Sequence, residues 1–158
     1  MLTNWSWKNF SELSNLELYH IMRLRQEVFF IEQKMHYIDA DLKDIKSKHL
    51  FLKNQLDEKI KIVAYLRIIP PGSEKLYPML GRILVNSKYR GQGYGKKLIQ
   101  KALSKIATTW PSIPVEVHAQ ENLRLFYESL GFKMISEPFM EQGISHLRML
   151  SLIEKKQP

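Results

Sequence analysis

The chain of 158 residues contains no cysteine. Disulfides, thiolate metal sites and a covalent cysteine intermediate are therefore excluded, and the absence is compatible with a reducing cytosol. The five histidines do not show the paired spacing that zinc ligands have; they are His20, His36, His49, His118 and His146. We therefore expect no bound metal.

Long apolar runs are also missing. The first residues lack a basic segment followed by an apolar core, and no later run approaches the roughly 20 apolar residues of a membrane-spanning helix. Repeats and linker-like tracts are absent as well. With 44% hydrophobic residues, the chain can bury enough surface to fold alone. We expect a cytoplasmic protein with no membrane partner and a single domain over residues 1–158.

Acidic residues are few, with 16 Asp and Glu against 24 Lys and Arg and a net charge of +8. Such a charge is compatible with a nucleic-acid partner, because phosphate contacts dominate that kind of affinity. Lys97, Lys101 and Lys105 recur at intervals of four residues and predict one basic stripe on a helix. This stripe either faces phosphates or is a solvated helix face.

Residues 81–97 (GRILVNSKYRGQGYGKK) run from an apolar strand through a glycine-rich basic turn into a helix. The first turn of a helix has N–H groups without intrahelical partners and carries partial positive charge, so a phosphate fits there. Glycine lets the backbone approach a pyrophosphate and adopt φ above zero; the glycines are Gly91, Gly93 and Gly95. Charge comes from Arg90, Lys96 and Lys97. Three glycines in five residues favour an anion site over an ordinary turn.

The spacing excludes two common phosphate-binding motifs. In a Walker loop the Gly95-Lys96 pair would need a glycine in place of Arg90 and a hydroxyl residue in place of Lys97. The dinucleotide fingerprint that begins at Gly91 would need glycine at Lys96, and an acidic residue near Trp110. A nucleoside triphosphatase and a Rossmann dehydrogenase are therefore not expected.

The segment 90–95 (RGQGYG) instead resembles the acetyl-CoA loop of the GNAT superfamily of N-acetyltransferases, and 119–132 (AQENLRLFYESLGF) resembles that superfamily's later motif. Residues 24–33 (LRQEVFFIEQ) and 141–146 (EQGISH) are similar to the ElaA-like branch, so the resemblance covers almost the whole chain. Gln142 and Ser145 depart from the aspartate and proline of that branch.

The resemblance implies a GNAT-like α/β (α+β) fold, with a mixed, strongly twisted sheet flanked by helices. It implies that two strands splay apart to admit the pantetheine arm of acetyl-CoA, and that a backbone N–H in the first of them stabilises the oxyanion. The implied cofactor-binding residues are Ile83, Leu84, Val85, Arg90, Gly91, Gln92, Gly93, Tyr94, Gly95, Lys96, Gln120 and Tyr127. A homodimer through sheet edges is a further family expectation.

The element pattern agrees with that fold. Ser14 and Glu17 form a predicted capping box before the first helix. Strands are predicted over 48–53, 61–69, 79–85, 113–120, 132–136 and 147–153, with helices over 95–108 and 122–130 and a turn at Asp57 and Glu58. Trp5, Trp7 and Phe10 favour an N-terminal strand that contributes to the core over a partner-binding patch.

Strand alternation over 113–120 places Glu116, His118 and Gln120 on one face. Acetyl transfer to an amine needs a proton acceptor for the amine and a proton donor for the departing thiolate. By resemblance Tyr127 is the general acid, with packing as its structural alternative. The possible bases are Glu27, Glu32, Glu116, His118, Glu141 and His146; spacing does not choose among them, and we take Glu116 and His118 as catalytic candidates with Tyr127.

Two charged features receive structural interpretations. Arg25 interrupts an apolar helix stripe and is expected to form an ion pair rather than to contact substrate. The acidic segment 39–44 (DADLKD) resembles a calcium loop only superficially, because Lys43 occupies a ligand position, and we predict a solvated loop.

The sequence thus predicts an acetyl-CoA-dependent N-acetyltransferase that acts on a primary amine of a small molecule or peptide. Coenzyme A is itself a polyanion and accounts for the basic charge, so we do not expect nucleic acid. Two alternatives stay open. One is a non-catalytic basic module that binds nucleotides or nucleic acid, and the other is a degenerate GNAT fold that binds coenzyme A without turnover.

Overall fold

A computed structural model describes residues 2–56, 59–72 and 75–151. Its strands form one mixed eight-stranded sheet in the order β1-β2-β3-β4-β5-β8-β6, with β7 paired to β8. The strands are β1 (Leu2–Asn9), β2 (Lys48–Leu56), β3 (Lys59–Ile69), β4 (Met79–Val85), β5 (Val115–Gln120), β6 (Phe132–Met134), β7 (Phe139–Glu141) and β8 (Ile144–Ser151). The sheet flanked by helices confirms the predicted architecture.

Among the described residues, three α-helices accompany the sheet: α1 (Asn15–Arg25), α2 (Tyr94–Thr109) and α3 (Arg124–Glu128). The capping box that begins α1 is confirmed, because the Ser14 hydroxyl accepts from the Glu17 N–H at 3.1 Å and the Glu17 carboxylate accepts from the Ser14 N–H at 3.0 Å. A π-helical segment, Gln26–Glu32, continues α1. None of the described helices has the length and apolar character that crossing a membrane would require.

The two faces of the sheet are covered by different helices. On one face, buried residues of α2 such as Leu98 and Ile106 pack with Val115, Val117 and Ala119 of β5. On the other, Ile21 and Leu24 of α1 pack with Phe51, Tyr65 and Leu84. Because side chains alternate along a strand, Glu116, His118 and Gln120 are on the α1 face.

The sheet is split between β4 and β5. These parallel strands pair only at Met79 with Glu116 and at Leu80 with Val117, and beyond that point towards Val85 and Gln120 no pairing is present among the described strands. The predicted splaying of these two strands is therefore confirmed. The gap opens at their carboxyl ends, where α2 also begins.

Most predicted elements are present with shifted bounds. The strand predicted over 113–120 begins at Val115, and the helix predicted over 122–130 divides into a 3-10 turn, Glu121–Leu123, and α3. Strand β1 is confirmed, with Trp5 and Trp7 packed against the core. Strand β7 was not predicted. The predicted turn at Asp57 and Glu58, and the predicted end of the last strand at Ile153, lie outside the described residues.

Candidate active site

The glycine turn, residues 90–95, has the backbone shape that its glycines allow. Gly91 and Gly93 have φ of 76° and 78°, the left-handed region that costs other residues free energy. Helix α2 follows at once, with Lys97 N–H bonded to the Gly93 carbonyl at 3.1 Å. The earlier amides of the helix keep free donors, so the turn presents N–H groups and the positive end of the α2 dipole.

Gly95 differs from the other two glycines, because it lies within the helix that was predicted to begin there and does not adopt positive φ. It lies in the first turn of α2 with φ outside the left-handed region. A Cβ there would lie 3.8 Å from both Phe126 Cζ and Val85 Cγ2. The start of α2 therefore sits between the end of β4 and α3, over the split in the sheet.

Arg90 helps to fasten the glycine turn. Its Nε donates to the Val85 carbonyl at 3.0 Å, and its Nη2 lies 2.7 Å from Glu32 Oε2. Because the Glu32 carboxylate already balances the charge of Arg90, less of that charge is available to phosphates than was predicted. Gln92 and Lys96 are exposed beside the turn, where neither is engaged by an ion pair or side-chain hydrogen bond among the described residues.

Strand β4 carries a bulge between its two ends. Tyr65 pairs with Leu84 and Arg67 with Gly81, so Arg82 and Ile83 are both opposite a single residue of β3. Arg82 takes φ of 53°, a left-handed conformation held by its side-chain contacts. The bulge changes the direction of the backbone amides that follow it, which are the amides predicted to stabilise an oxyanion.

The three predicted β4 residues divide between the two faces of the sheet, with Ile83 and Val85 on the α2 face and Leu84 on the α1 face. Ile83 lines the cleft described below, and Val85 approaches Gly95 at the start of α2. The Leu84 side chain is buried against α1. Leu84 can therefore offer a ligand only its main chain, in agreement with the predicted use of backbone donors in this strand.

A cleft of about 480 Å³ opens on the α1 face of the split. Of the predicted residues it contains Ile83, His118, Gln120 and Tyr127. Charged or titratable side chains line it throughout; they are Tyr37, Asp41, Lys43, Arg67, Lys75, Arg82, His118, Tyr127, Glu141 and His146. Apolar contacts come from Phe29, Met35, Ile38, Ile69, Met79 and Leu123.

Glu116 is near His118 but is outside the lining of the cleft. Its carboxylate accepts from Arg148 Nε at 2.7 Å and lies 3.3 Å from His118 Nε2. Burial raises the pKa of Glu116, but the Arg148 guanidinium and His118 together lower it by more. The pKa of Glu116 is therefore below its ordinary value. A paired, ionised Glu116 suits orientation of His118 better than proton abstraction.

His118 connects Glu116 to the cleft. Its Nδ1 lies 3.4 Å from Glu141 Oε2, and its ring packs edge-on against Phe139 at a centroid distance of 5.4 Å. His118 holds the pKa of Glu141 below its usual range, and this effect exceeds the opposing effect of burial. The predicted candidates His118 and Glu141 therefore form one pair at the cleft wall.

His146 faces Gln120 across the β5–β8 ladder. Its Nδ1 lies 2.7 Å from the Ile144 carbonyl, and because a carbonyl only accepts, Nδ1 carries the proton. The neutral ring then has its lone pair on Nε2. Gln120 is held by a weak contact of 3.4 Å between its Nε2 and Gln33 Oε1, and both glutamines line the cleft.

The other predicted bases are less well placed. Glu27 pairs with Arg23 at 3.0 Å on the exposed side of the helix, and Glu32 is engaged by Arg90. Neither lines the cleft. The fold thus separates the six candidates, and leaves His118, Glu141 and His146 in the cleft.

Tyr127 is 5% exposed and projects from α3 towards the split. Its ring packs edge-on against Phe126 and Phe132, at centroid distances of 5.3 and 5.6 Å. Burial raises the pKa of the Tyr127 phenol, so the group is protonated at neutral pH. Tyr127 therefore has both a packing role and a protonated hydroxyl at the cleft.

Six side chains beneath the cleft form an arginine–aspartate network: Arg25, Arg67, Arg82, Asp39, Asp41 and Asp44. Asp39 bridges Arg25 Nε and Arg82 Nε, each at 2.6 Å. Asp44 Oδ1 bridges Arg25 Nη1 at 2.8 Å and Arg67 Nη1 at 2.9 Å. The ion pair predicted for Arg25 is confirmed.

The prediction of a solvated loop over 39–44 is wrong. Asp44 is 7% exposed, and Asp41 makes two bonds of 2.6 Å to Arg67. Burial raises the pKa of Asp41, but the Arg67 and Arg82 guanidiniums lower it more, so Asp41 is ionised. The carboxylates face inward because the buried arginines Arg25 and Arg67 require charge partners.

Arg67 and Arg82 were not identified from the sequence as site residues. A signal for Arg67 exists, because it is a lone charge within the apolar strand IVAYLRII, as Arg25 is within its helix. Arg82 has no comparable signal, since its role depends on the β4 bulge. Among the described residues no group of three or more metal-ligating side chains is present.

Comparison with known proteins agrees with this geometry. The sequence model of one protein family, the acetyltransferase (GNAT) domain, matches residues 26–152 of this chain. The chain belongs to the GNAT acetyltransferase family. It is 33% identical to Escherichia coli ElaA, whose structure superimposes with a TM-score of 0.85 over 95% of this chain and 99% of that one.

Two further relatives cover nearly the whole chain. An acyl-CoA N-acyltransferase from Pseudomonas aeruginosa is 33% identical with a TM-score of 0.87, over 95% of this chain and 99% of that chain. The UPF0039 protein of Synechocystis sp. is 35% identical over 95% of this chain and 96% of its own length. The GNAT fold and the similarity to the ElaA branch predicted from the sequence are therefore confirmed.

Proposed function

We propose that this GNAT family member transfers the acetyl group of acetyl-CoA directly to a primary amine. The observation that supports this best is the arrangement around the split between β4 and β5. The glycine turn and the start of α2 are at one end of the split, and the cleft with Tyr127, His118 and His146 is on its α1 face. A thioester whose diphosphate binds the turn would reach the cleft through the split.

The residues of the turn fit a diphosphate. The left-handed Gly91 and Gly93 leave open space where side chains would stand, and the free amides at the start of α2 are donors for anionic oxygens. Lys96 and Lys97 add charge in the first turn of the helix. The proposed cofactor contacts are the main chain of 91–95 and of Ile83–Val85, with Gln120 and Tyr127 nearer the thioester.

The chemistry requires one bond to form and one to break. The amine nitrogen attacks the carbonyl carbon, the carbon–sulfur bond breaks, and the amine loses a proton while the sulfur gains one. An alkylamine with a pKa near 10.4 is protonated at pH 7, and removing that proton to give the neutral nucleophile costs roughly 4 to 5 kcal/mol. A proton acceptor in the site is therefore useful. His146 Nε2 and the His118–Glu141 pair are the acceptors that the cleft provides.

The β4 bulge and Tyr127 serve the other two needs. An N–H of the main chain at 83–85 stabilises the negative charge that develops on the carbonyl oxygen, an effect worth about 3 kcal/mol. The protonated Tyr127 hydroxyl acts as general acid towards the departing sulfur. Residues 1–158 act together as one domain in this proposal, because the π-helical segment after α1, the β7–β8 turn and α3 each contribute to the cleft.

Calorimetric titration with acetyl-CoA, followed by coenzyme A release over a panel of amines, tests the proposal. We expect saturable binding and amine-dependent release, with turnover lowered at least tenfold in Tyr127→Phe at nearly unchanged acetyl-CoA affinity. Tyr89→Phe, outside the cleft, is the matched control. Binding without release with any amine would favour the degenerate alternative. A preference for oligonucleotide with a steep salt dependence would favour the nucleic-acid module.

A further inference from the structure

The charges of the cleft are separated along its length. One end has Lys43 and Lys75, from two different segments beside the β3–β4 ladder. Gln120 and His146 lie towards the open end of the split, and the His118–Glu141 pair lies nearer the middle, because the pairing of Leu80 with Val117 places His118 level with Gly81. An acceptor that extends from His146 towards the two lysines therefore meets the proton acceptors first and the lysine charges last.

The arginines beneath the cleft do not change this balance. Arg25, Arg67 and Arg82 are matched by three aspartates in the arginine–aspartate network. Lys43 and Lys75, in contrast, form no ion pair with a carboxylate in the part of the chain that the structure describes. After the network is neutralised, the formal charges left in the lining are those of Lys43, Lys75 and Glu141.

Arg67 gives independent support for an anionic ligand group at the lysine end. It is 2% exposed, and its Nε has no hydrogen-bond partner among the described residues. This N–H lies beside Gly81 on the floor of the cleft, where a Cβ would be 3.6 Å away. A buried N–H without an acceptor adds positive potential at that position.

The spacing of β4 gives the distance between the two ends. Met79 pairs with Ile69 at the lysine end, and Ile83 lies four residues further along, beside the proposed reaction centre. Because the bulge places both Arg82 and Ile83 opposite one residue of β3, Gly81 and Met79 are one and three β3 steps from Ile83, or roughly 3 and 10 Å at about 3.3 Å per residue. The apolar side chains Met35 and Ile38 line the cleft as well.

We infer that the acceptor is a peptide-like primary amine that carries a carboxylate two to four residues from its nitrogen. An extended chain spans about 3.3 to 3.6 Å per residue, which matches the separation of the two ends. The inference rests on the proposed acetyl transfer and names its substrate class. A polyamine would place its second positive charge near Lys43 and Lys75, where like charges repel.

Matched peptides test this substrate class. The panel contains Ala-Ala-Glu-Glu, Ala-Ala-Gln-Gln and Ala-Ala-Arg-Arg as C-terminal amides, Ala-Ala-Ala as acid and as amide, and spermidine. We expect kcat/KM for the Glu peptide to exceed that for the Arg peptide by about tenfold at low salt, with the difference reduced at high salt. The Ala-Ala-Ala pair shows whether a terminal carboxylate replaces the side-chain carboxylates.

Charge reversal assigns the preference to the two lysines. In the double variant Lys43→Glu, Lys75→Glu the ratio of the Glu to the Arg peptide should fall to one or below, and in Lys133→Glu it should be unchanged, because Lys133 is exposed on β6 outside the cleft. Circular dichroism checks that the variants fold. Calorimetric binding of the same peptides to the protein saturated with coenzyme A gives a second measurement that does not require turnover.

The outcomes separate this inference from the proposed function. If acetyl-CoA binds and spermidine or the Arg peptide is acetylated as well as the Glu peptide, only the substrate class is overturned. An unchanged ratio in the double variant also overturns it. If acetyl-CoA does not bind, the proposed function fails and this inference fails with it.

Discussion

The glycine turn and the arginine–aspartate network are two charged regions that the chain builds in opposite ways. The turn takes its polar groups from residues 90–95 and the start of α2, and faces solvent. The network joins α1, the segment before β2, and strands β3 and β4, and its Arg25 side chain is 1% exposed. In the turn the proposed ligand would supply the missing charge, whereas in the network each buried charge is matched within the protein.

This difference predicts where substitutions act. A change in the turn alters ligand affinity with little effect on stability, because few contacts depend on it. A change in the network alters the free energy of unfolding, because it leaves a partner buried without its counter-charge. The following substitutions test whether the turn affects ligand affinity and the network affects stability. They are ordered from the largest expected effect to the smallest.

Arg25→Met should lower the free energy of unfolding by about 3 to 5 kcal/mol, because Asp39 and Asp44 lose a buried partner. Urea denaturation measures the change. Arg23→Met is the control, since its ion pair with Glu27 is exposed and the loss should be about 0.5 kcal/mol or less. Equal effects of the two substitutions would show that the network does not stabilise the fold.

Asp41→Asn should destabilise the protein by about 2 kcal/mol at pH 7, and this deficit should shrink in acid. The pKa of Asp41 is lowered by folding. The contribution of the Asp41 carboxylate to the free energy of unfolding is therefore fully present above the unfolded-state pKa of about 3.9. It is lost as pH falls below that value. Unfolding free energies of wild type and variant between pH 7 and pH 3 give the measurement. A deficit that stays constant with pH would contradict the assignment.

Gly93→Asp should weaken acetyl-CoA binding by about tenfold or more, because a carboxylate would stand beside the diphosphate at the positive end of α2. Gly93→Asn is the matched control, since Asn tolerates a φ of 78° as well as Asp does and adds no charge. Calorimetric titration compares the two. Equal affinities in both variants would mean that the diphosphate binds elsewhere.

Lys97→Gln should weaken acetyl-CoA binding by about threefold at low salt, because Lys97 is in the first turn of α2. Lys105→Gln should have a smaller effect at low salt and none at about 0.15 M salt, since eight residues of helix place it about 12 Å further away, beyond the Debye length of about 8 Å at that salt concentration. Titration at two salt concentrations separates these cases. A similar loss in both variants would indicate that the whole lysine stripe faces the ligand.

The described structure already assigns other contacts to the stripe. Lys97 Nζ lies 5.6 Å from the centre of the Tyr94 ring, and Lys101 Nζ lies 5.4 Å from the centre of the Trp5 ring. Cation–π contacts of this kind stabilise an exposed helix face without a ligand. Lys101 therefore has a structural reason for its charge, which neither of the two interpretations drawn from its spacing included.

Several of the confirmed predictions depend only on neighbours in the chain. Ser14 and Glu17 are three residues apart and cap α1, and the alternation along β5 places Glu116 and His118 on one face. The predicted features that are wrong depend on distant residues. The segment 39–44 is acidic and short of apolar residues, so nothing within it indicates that Arg67 and Arg82 fold over it.

The sequence by itself determined the backbone of the glycine turn, the periodicity of the strands and the family resemblance, because each follows from residues within a few positions of one another. Only the tertiary structure decided which carboxylates are neutralised and which titratable side chains share the cleft. The physical reason is that burial and Coulomb interactions depend on distance in space. Residues as far apart in the chain as Asp41 and Arg67 therefore shift each other's pKa only after the sheet has formed.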